Sequence, residues 1–124
     1  MRTLSRTLTE QELEIMKVVW ELRRATVRDV YEALLRRRKI AYTTVMTMMN
    51  ILEGKKYLRK NPAARAYVYA TTRPKAQVIR AMVKEFVNRV FNGSAEPLLV
   101  ELVKDRKLSA KELKQLSRII QESQ

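Results

Sequence analysis

The chain has 124 residues, with 26 Lys and Arg against 13 Asp and Glu, a formal charge of +13. It contains neither Cys nor His, which excludes disulfides, the usual structural zinc sites and the commonest general base. The size suits one domain, or a small domain with an appended helical module, and the charge favours a polyanionic partner: nucleic acid first, an anionic membrane surface second.

The N-terminal MRTLSRTLTEQELE lacks the apolar run of a signal peptide, and no apolar stretch approaches the ~20 residues that span a bilayer. A cytoplasmic protein without membrane insertion is expected. Sparse Gly (2) and Pro (3) argue for a mostly helical chain.

Thr9-Glu10-Gln11-Glu12 has capping-box form and opens a first helix, with Leu13, Met16, Val19 and Trp20 inward. That helix should end near Leu22-Arg23-Arg24. Thr26 to Asp29 repeats the signal, and Val27, Val30, Tyr31, Leu34 and Leu35 then recur with helical spacing. The short link between the two helices predicts a tight turn.

A third helix, about 42–54, places Ala41, Val45, Met48, Met49 and Leu52 on one side and Thr43, Thr47 and Asn50 opposite. Thr44, Met46 and Ile51 lie on its flanks. Its outer face is short, polar and uncharged. Arg36, Arg37, Arg38 and Lys39 precede it; Lys55 and Lys56 follow.

Beyond Gly54 the composition turns to β-formers. Two antiparallel strands are expected, Tyr57–Lys60 and Ala66–Thr72, joined by a turn from Asn61-Pro62 to Arg65. From Pro74 a long helix runs to about Phe91, with Val78, Ile79, Met82, Val83, Phe86, Val87 and Val90 apolar. That face is too wide for a helix lying alone on a small core. Pro97 suits the first turn of a helix to about Lys104. Ser109 to Glu112 is another capping box, opening a last helix with Leu113, Leu116, Ile119 and Ile120 inward.

This order, mainly α with a small β-hairpin, is that of a winged helix-turn-helix (residues 7–72) followed by a C-terminal helical module (73–124). A third helix in the major groove needs short groups that reach base edges. Thr43, Thr44, Thr47 and Asn50 are of that kind, and Met46 could touch a thymine methyl. Arg36, Arg37, Arg38, Lys39, Lys55, Lys60 and Arg65 are the candidate phosphate and wing contacts. On these residues alone, a nonspecific nucleic-acid coat and a winged helix that binds protein remain alternatives. Nothing marks a catalytic centre: no Gly-rich phosphate loop exists, and Glu10, Glu12 and Glu14 sit on an ordinary helix N-terminal turn. No metal and no cofactor are expected.

The stretches LTEQELEIMKVVW, ATVRDVYEALLRRRKIAYTTVMTMMNILEGKKYLRK, ARAYVYATT and FNGSAEPLLVELVKDRKLSAKELKQLSRII resemble the penicillinase-repressor family of the BlaI/MecI type. The resemblance covers about residues 7–122. It implies a winged-helix repressor, homodimeric through its C-terminal helices, on a palindromic operator with TACA/TGTA half-sites. Such proteins control β-lactamase or cell-envelope genes. The family's recognition helix carries over to Thr43, Thr44 and Thr47, and its wing to Arg65. Dimerisation is expected through Val78, Met82, Phe86, Val90, Leu99, Leu102, Leu113, Leu116 and Ile120.

Two departures stand out. The family shows L-E-x-K-G at the end of the recognition helix, whereas Leu52-Glu53-Gly54-Lys55-Lys56 carries its glycine two positions early. Either the helix stops sooner or Lys56 takes a left-handed conformation. In well-known members a membrane sensor-peptidase triggers cleavage at an Asn-Phe bond, where this chain has Glu101-Leu102. That bond is not carried over, and the resemblance leaves cleavage elsewhere in residues 98–106 open. The metal-sensing cysteines of the copper-responsive branch are absent too.

Overall fold

A computed structural model describes residues 8–63, 65–105 and 108–122. The elements run α1 (Glu10–Leu22), β1 (Arg24–Ala25), α2 (Val27–Leu35), α3 (Tyr42–Gly54), β2 (Leu58–Ala63), β3 (Ala66–Thr71), α4 (Lys75–Phe91), α5 (Glu96–Lys104) and α6 (Ala110–Glu122). The chain divides into two compact units, one ending at Met82 and the other beginning at Val83.

Capping chemistry sets the helix starts. Thr9 Oγ1 accepts from the Glu12 N–H at 3.1 Å, and Glu12 Oε1 accepts from the Thr9 N–H at 2.9 Å. Thr26 and Asp29 repeat the exchange at 3.1 and 3.0 Å. Each box satisfies two donors that a helix N-terminus would otherwise leave open. By contrast, Ala41 precedes α3 with no side-chain cap.

The residues between α1 and α2 do more than turn. Arg24–Ala25 form a short strand on the far side of β3 from β2, in a sheet of order β1-β3-β2. Two residues are too few to show periodicity. The hairpin also differs from expectation, because Asn61-Pro62-Ala63 belong to β2, opposite Val68, Tyr67 and Ala66. Pro62 is tolerated there because β2 is an edge strand, where a residue without an N–H need not break a ladder. Of the expected turn residues, Arg65 lies in the turn and Ala64 outside the described residues.

The core of the first unit takes Ile15, Met16 and Val19 from α1, Val30 and Leu34 from α2, and Val45, Met49 and Leu52 from α3. Leu58 and Tyr69 close it from the sheet. Leu35, expected inward, is exposed, and so is Ala41. Val78 is buried in this same core and Met82 packs against it, so the first turns of α4 belong with this unit.

The second unit comprises the rest of α4 with α5 and α6. Within it Val87 is buried, and the Phe86 and Phe91 rings meet edge to face at 5.9 Å. The capping box before α6 forms: Ser109 N–H donates to Glu112 Oε1 at 2.8 Å, and Glu112 N–H donates to Ser109 Oγ at 3.2 Å.

The misplaced glycine has a definite outcome. α3 continues through Gly54, and Lys56 takes the left-handed conformation with φ 71°. Tyr57 N–H donates to the Leu52 carbonyl at 2.9 Å and Lys56 N–H to that of Glu53 at 3.0 Å, the bond pair of a Schellman stop. Lysine therefore occupies the position that glycine favours, while glycine occupies a helical one with open space around a would-be Cβ.

One ion pair ties the two ends of this unit's helices together. Lys55 Nζ lies 2.8 Å from Glu12 Oε1, with 20% and 4% of their side-chain surfaces exposed. Burial alone would raise the Glu12 carboxyl, but hydrogen bonds from Lys55 and Thr9 outweigh it and hold the group below its ordinary value.

Gly54→Ala and Lys56→Gly should each stabilise the protein by about 1 kcal/mol, the first through helix propensity and the second by relieving the left-handed lysine, measured by denaturant unfolding. A depressed carboxylate contributes stability that is present at neutral pH and lost as pH falls through its folded value. Glu12→Gln should therefore flatten the acid side of the stability profile. Lys55→Met should cost about 3 kcal/mol at pH 7, the lower end for a buried pair because lysine keeps some water contact.

Candidate nucleic-acid interface

Burial of Val45, Met49 and Leu52 on one side of α3 turns the opposite side outward. Thr43, Thr44, Met46, Thr47 and Asn50 are all exposed. They form a surface of hydroxyls, one thioether and one amide, without a charged group among them.

Beside that surface runs a groove of about 500 Å³ between the start of α2, α3 and the hairpin, lined among others by Arg28, Tyr42, Met46, Asn50, Lys60 and Arg65. Two of its cations are held over aromatic faces: the Arg28 guanidinium lies 6.0 Å from the Tyr42 ring centre and Lys60 Nζ lies 4.8 Å from that of Tyr67. Tyr42 also packs edge-on against Tyr31 at 5.4 Å, which fixes the start of α3 against α2. Arg28 escaped the sequence reading. A signal existed: it is a cation in the first turn of α2, where the helix dipole favours acids, and its exposed 3.5 Å pair with Glu32 is a weak reason for it.

Asn50 is not a free amide. Its Oδ1 accepts from the Tyr69 hydroxyl at 3.0 Å and from Lys60 Nζ at 3.5 Å. The contact spans from α3 to both strands of the hairpin, since Lys60 and Tyr69 are direct partners in the β2–β3 register. Burial raises the Tyr69 hydroxyl pKa first of all, so it remains a donor at neutral pH.

The basic residues flanking α3 divide by direction. Lys60 and Arg65 line the groove with Met46 and Asn50. Arg36 and Lys39 are exposed. Arg38 instead reaches α1, with donor distances of 2.8 and 3.3 Å to Glu14, and its guanidinium holds the Glu14 carboxyl below the ordinary value. Arg37 lines a hollow with Lys17, Trp20 and Lys75. Lys55 is committed to Glu12, because a nearly buried carboxylate outcompetes solvent for its ammonium. The basic residues that bracket α3 in sequence thus point to different partners: Glu12, Glu14, the groove and solvent.

A further basic cluster lies elsewhere on the sheet. Arg24 and Arg59 both stand opposite Ala70 in register, and with Arg23 they line a hollow beside Asn61. Only the strand Arg24–Ala25 brings them together, and two residues are too short a strand to be legible from periodicity.

In the second unit Phe86 and Val90 are exposed, and Leu99, Leu102, Leu113 and Leu116 are half-buried. Val83, Val100, Val103 and Ile119 add exposed apolar surface. Val78 and Met82, expected to join them, are occupied by the core of the first unit. The side chain of Ile120 lies outside those described. Among the described residues no helix is long and apolar enough to cross a membrane, and no cluster of acidic, Cys or His side chains could hold a metal ion.

Comparison with known proteins agrees with this geometry. The chain is 26% identical over 115 residues to a penicillinase repressor of Bacillus licheniformis, covering 93% of this chain and 90% of that protein. It is 21% identical over 113 residues to the methicillin resistance regulatory protein MecI of Mammaliicoccus sciuri, covering 91% and 92%. The solution structure of the DNA-binding domain of the repressor BlaI is similar at a TM-score of 0.52 and 26% identity, over 56% of this chain and 85% of that one. The family profile described as penicillinase repressor matches residues 8–122. The chain therefore belongs to the penicillinase repressor family, a family of transcriptional repressors and not of enzymes.

Proposed function

We propose that this protein is a homodimeric repressor that binds a palindromic operator, with α3 in the major groove and the β2–β3 hairpin along the backbone. The observation that carries the proposal is the exposed, uncharged face of α3, from Thr43 to Asn50, beside a groove whose cations are Arg28, Lys60 and Arg65. Charge at the groove supplies the salt-dependent, sequence-independent part of the affinity. Hydroxyls and the Met46 methyl, at van der Waals reach of base edges, supply discrimination.

Dimerisation rests on the apolar surface of Val83, Phe86, Val90, Val100, Val103 and Ile119. Scattered exposed apolar residues are ordinary, but a concentration on one small helical unit favours a partner. A second copy suits a palindrome, because a two-fold dimer presents two reading helices to two half-sites.

The first measurement is anisotropy binding to a TACA/TGTA palindrome and a scrambled duplex across a salt series. The specific duplex should keep an advantage of about 4–10 kcal/mol, and superimposable curves would overturn the reading. Thr47→Ala should cost about 1–3 kcal/mol on the operator and little on scrambled DNA, whereas Arg65→Ala should weaken both and reduce the salt slope by about one. Phe86→Glu should shift sedimentation toward monomer and weaken operator binding; an intact dimer would refute this assignment.

A further inference from the structure

Resting on the DNA-reading role of α3, we infer that Tyr69 and Lys60 set Asn50 as a donor-only base contact, directed to acceptor-rich edges such as guanine rather than to adenine. An asparagine pairs with adenine by using both ends of its amide: the nitrogen donates to N7 while the oxygen accepts from the N6 amino group. In this protein the oxygen is taken. It accepts from the Tyr69 hydroxyl at 3.0 Å and from the Lys60 ammonium at 3.5 Å, the two bonds an amide oxygen has lone pairs for.

The orientation of the amide is fixed by chemistry. A tyrosine hydroxyl can donate or accept, so Tyr69 alone would allow either end of Asn50 to face it. An ammonium has no acceptor, so Lys60 requires the oxygen on its side. Tyr69 in turn has few alternatives. It is 3% exposed, and a buried hydroxyl needs a partner. Lys60 is positioned by its register opposite Tyr69 and by the Tyr67 ring beneath its ammonium.

What remains for the DNA is the amide NH2 of Asn50, on the stripe of α3 that also carries Thr43, Met46 and Thr47. Two N–H donors match the N7 and O6 acceptors of guanine, whereas adenine accepts one of them at N7 and sets its N6 amino donor against the other, and cytosine presents an N4 amino donor. Tyr69 is thus a positioning residue: it touches no base, and the hairpin that holds it selects which base α3 prefers.

The test is selection from a duplex library with randomised half-sites, followed by anisotropy on the selected operator and its single-base variants. Wild type should select a sequence with one position per half-site at which guanine outcompetes adenine by about tenfold, and Asn50→Ala should erase that preference alone. Tyr69→Phe frees one lone pair of the amide oxygen for the adenine N6 amino group, so guanine and adenine should become near equal there, with scrambled-duplex affinity and salt slope unchanged. Lys60→Met gives a second reading that leaves Tyr69 and its packing in place. It should relax the same position and, because the groove loses a cation, lower the salt slope by about one. The inference falls if base preference is unaltered in both variants, or if Tyr69→Phe weakens all sequences alike. A wild type that selects no sequence would sink the repressor reading together with it. A wild type that selects one independently of Asn50 would sink this inference alone.

Discussion

Val45, Met49 and Leu52 leave no surface in water, and the rest of the molecule follows from that stripe. An apolar seam at i, i+4 and i+7 can be buried on one side only, so the residues between its members have one direction left to face. The uncharged outer face of α3 is a consequence of core packing before it is anything else. Removing the seam would leave the threonines with no fixed direction in which to point.

Polar contacts then remove the remaining freedom of α3. At its C-terminus the Lys55–Glu12 pair joins α3 to the capping box of α1, so one carboxylate serves two helices at once. Near its middle the Asn50–Tyr69 bond ties it to the hairpin. At its start the Tyr31–Tyr42 contact holds it to α2. These links act through different chemistry, and each is short because the apolar core has already brought the elements together. The outer face of α3 is therefore held from three sides without a large core to support it.

The basic charge of the chain is less uniform than its total implies. Some cations stabilise the fold, as Lys55 and Arg38 do through carboxylates of α1. Others sit over aromatic rings beside the outer face of α3, which limits their conformational freedom and leaves their charge available. Still others, Arg23, Arg24 and Arg59, gather around the sheet apart from that groove. Arg23 stands at φ 75°, a backbone region that few non-glycine residues adopt, at the junction of α1 and β1.

Local chemistry made much of this legible from the amino-acid sequence. Capping boxes at Thr9, Thr26 and Ser109 placed helix starts, because they satisfy donors within four residues and need no distant partner. The 3.6-residue spacing identified the inner and outer faces of α3, and the shifted glycine left Lys56 as the candidate for a left-handed stop. What lay beyond reach were relations between residues far apart in the chain. The strand Arg24–Ala25 exists only because β3 is there to pair with it, and Asn61-Pro62 extend a strand only because β2 is an edge. Charge in a sequence carries no direction, so only the folded chain decided that Lys55 turns to Glu12 while Lys60 turns to Asn50. Likewise Val78 has the spacing of its apolar neighbours on α4, yet the core of the first unit had already claimed it. Periodicity records which face of an element is apolar; tertiary packing alone decides what that face meets.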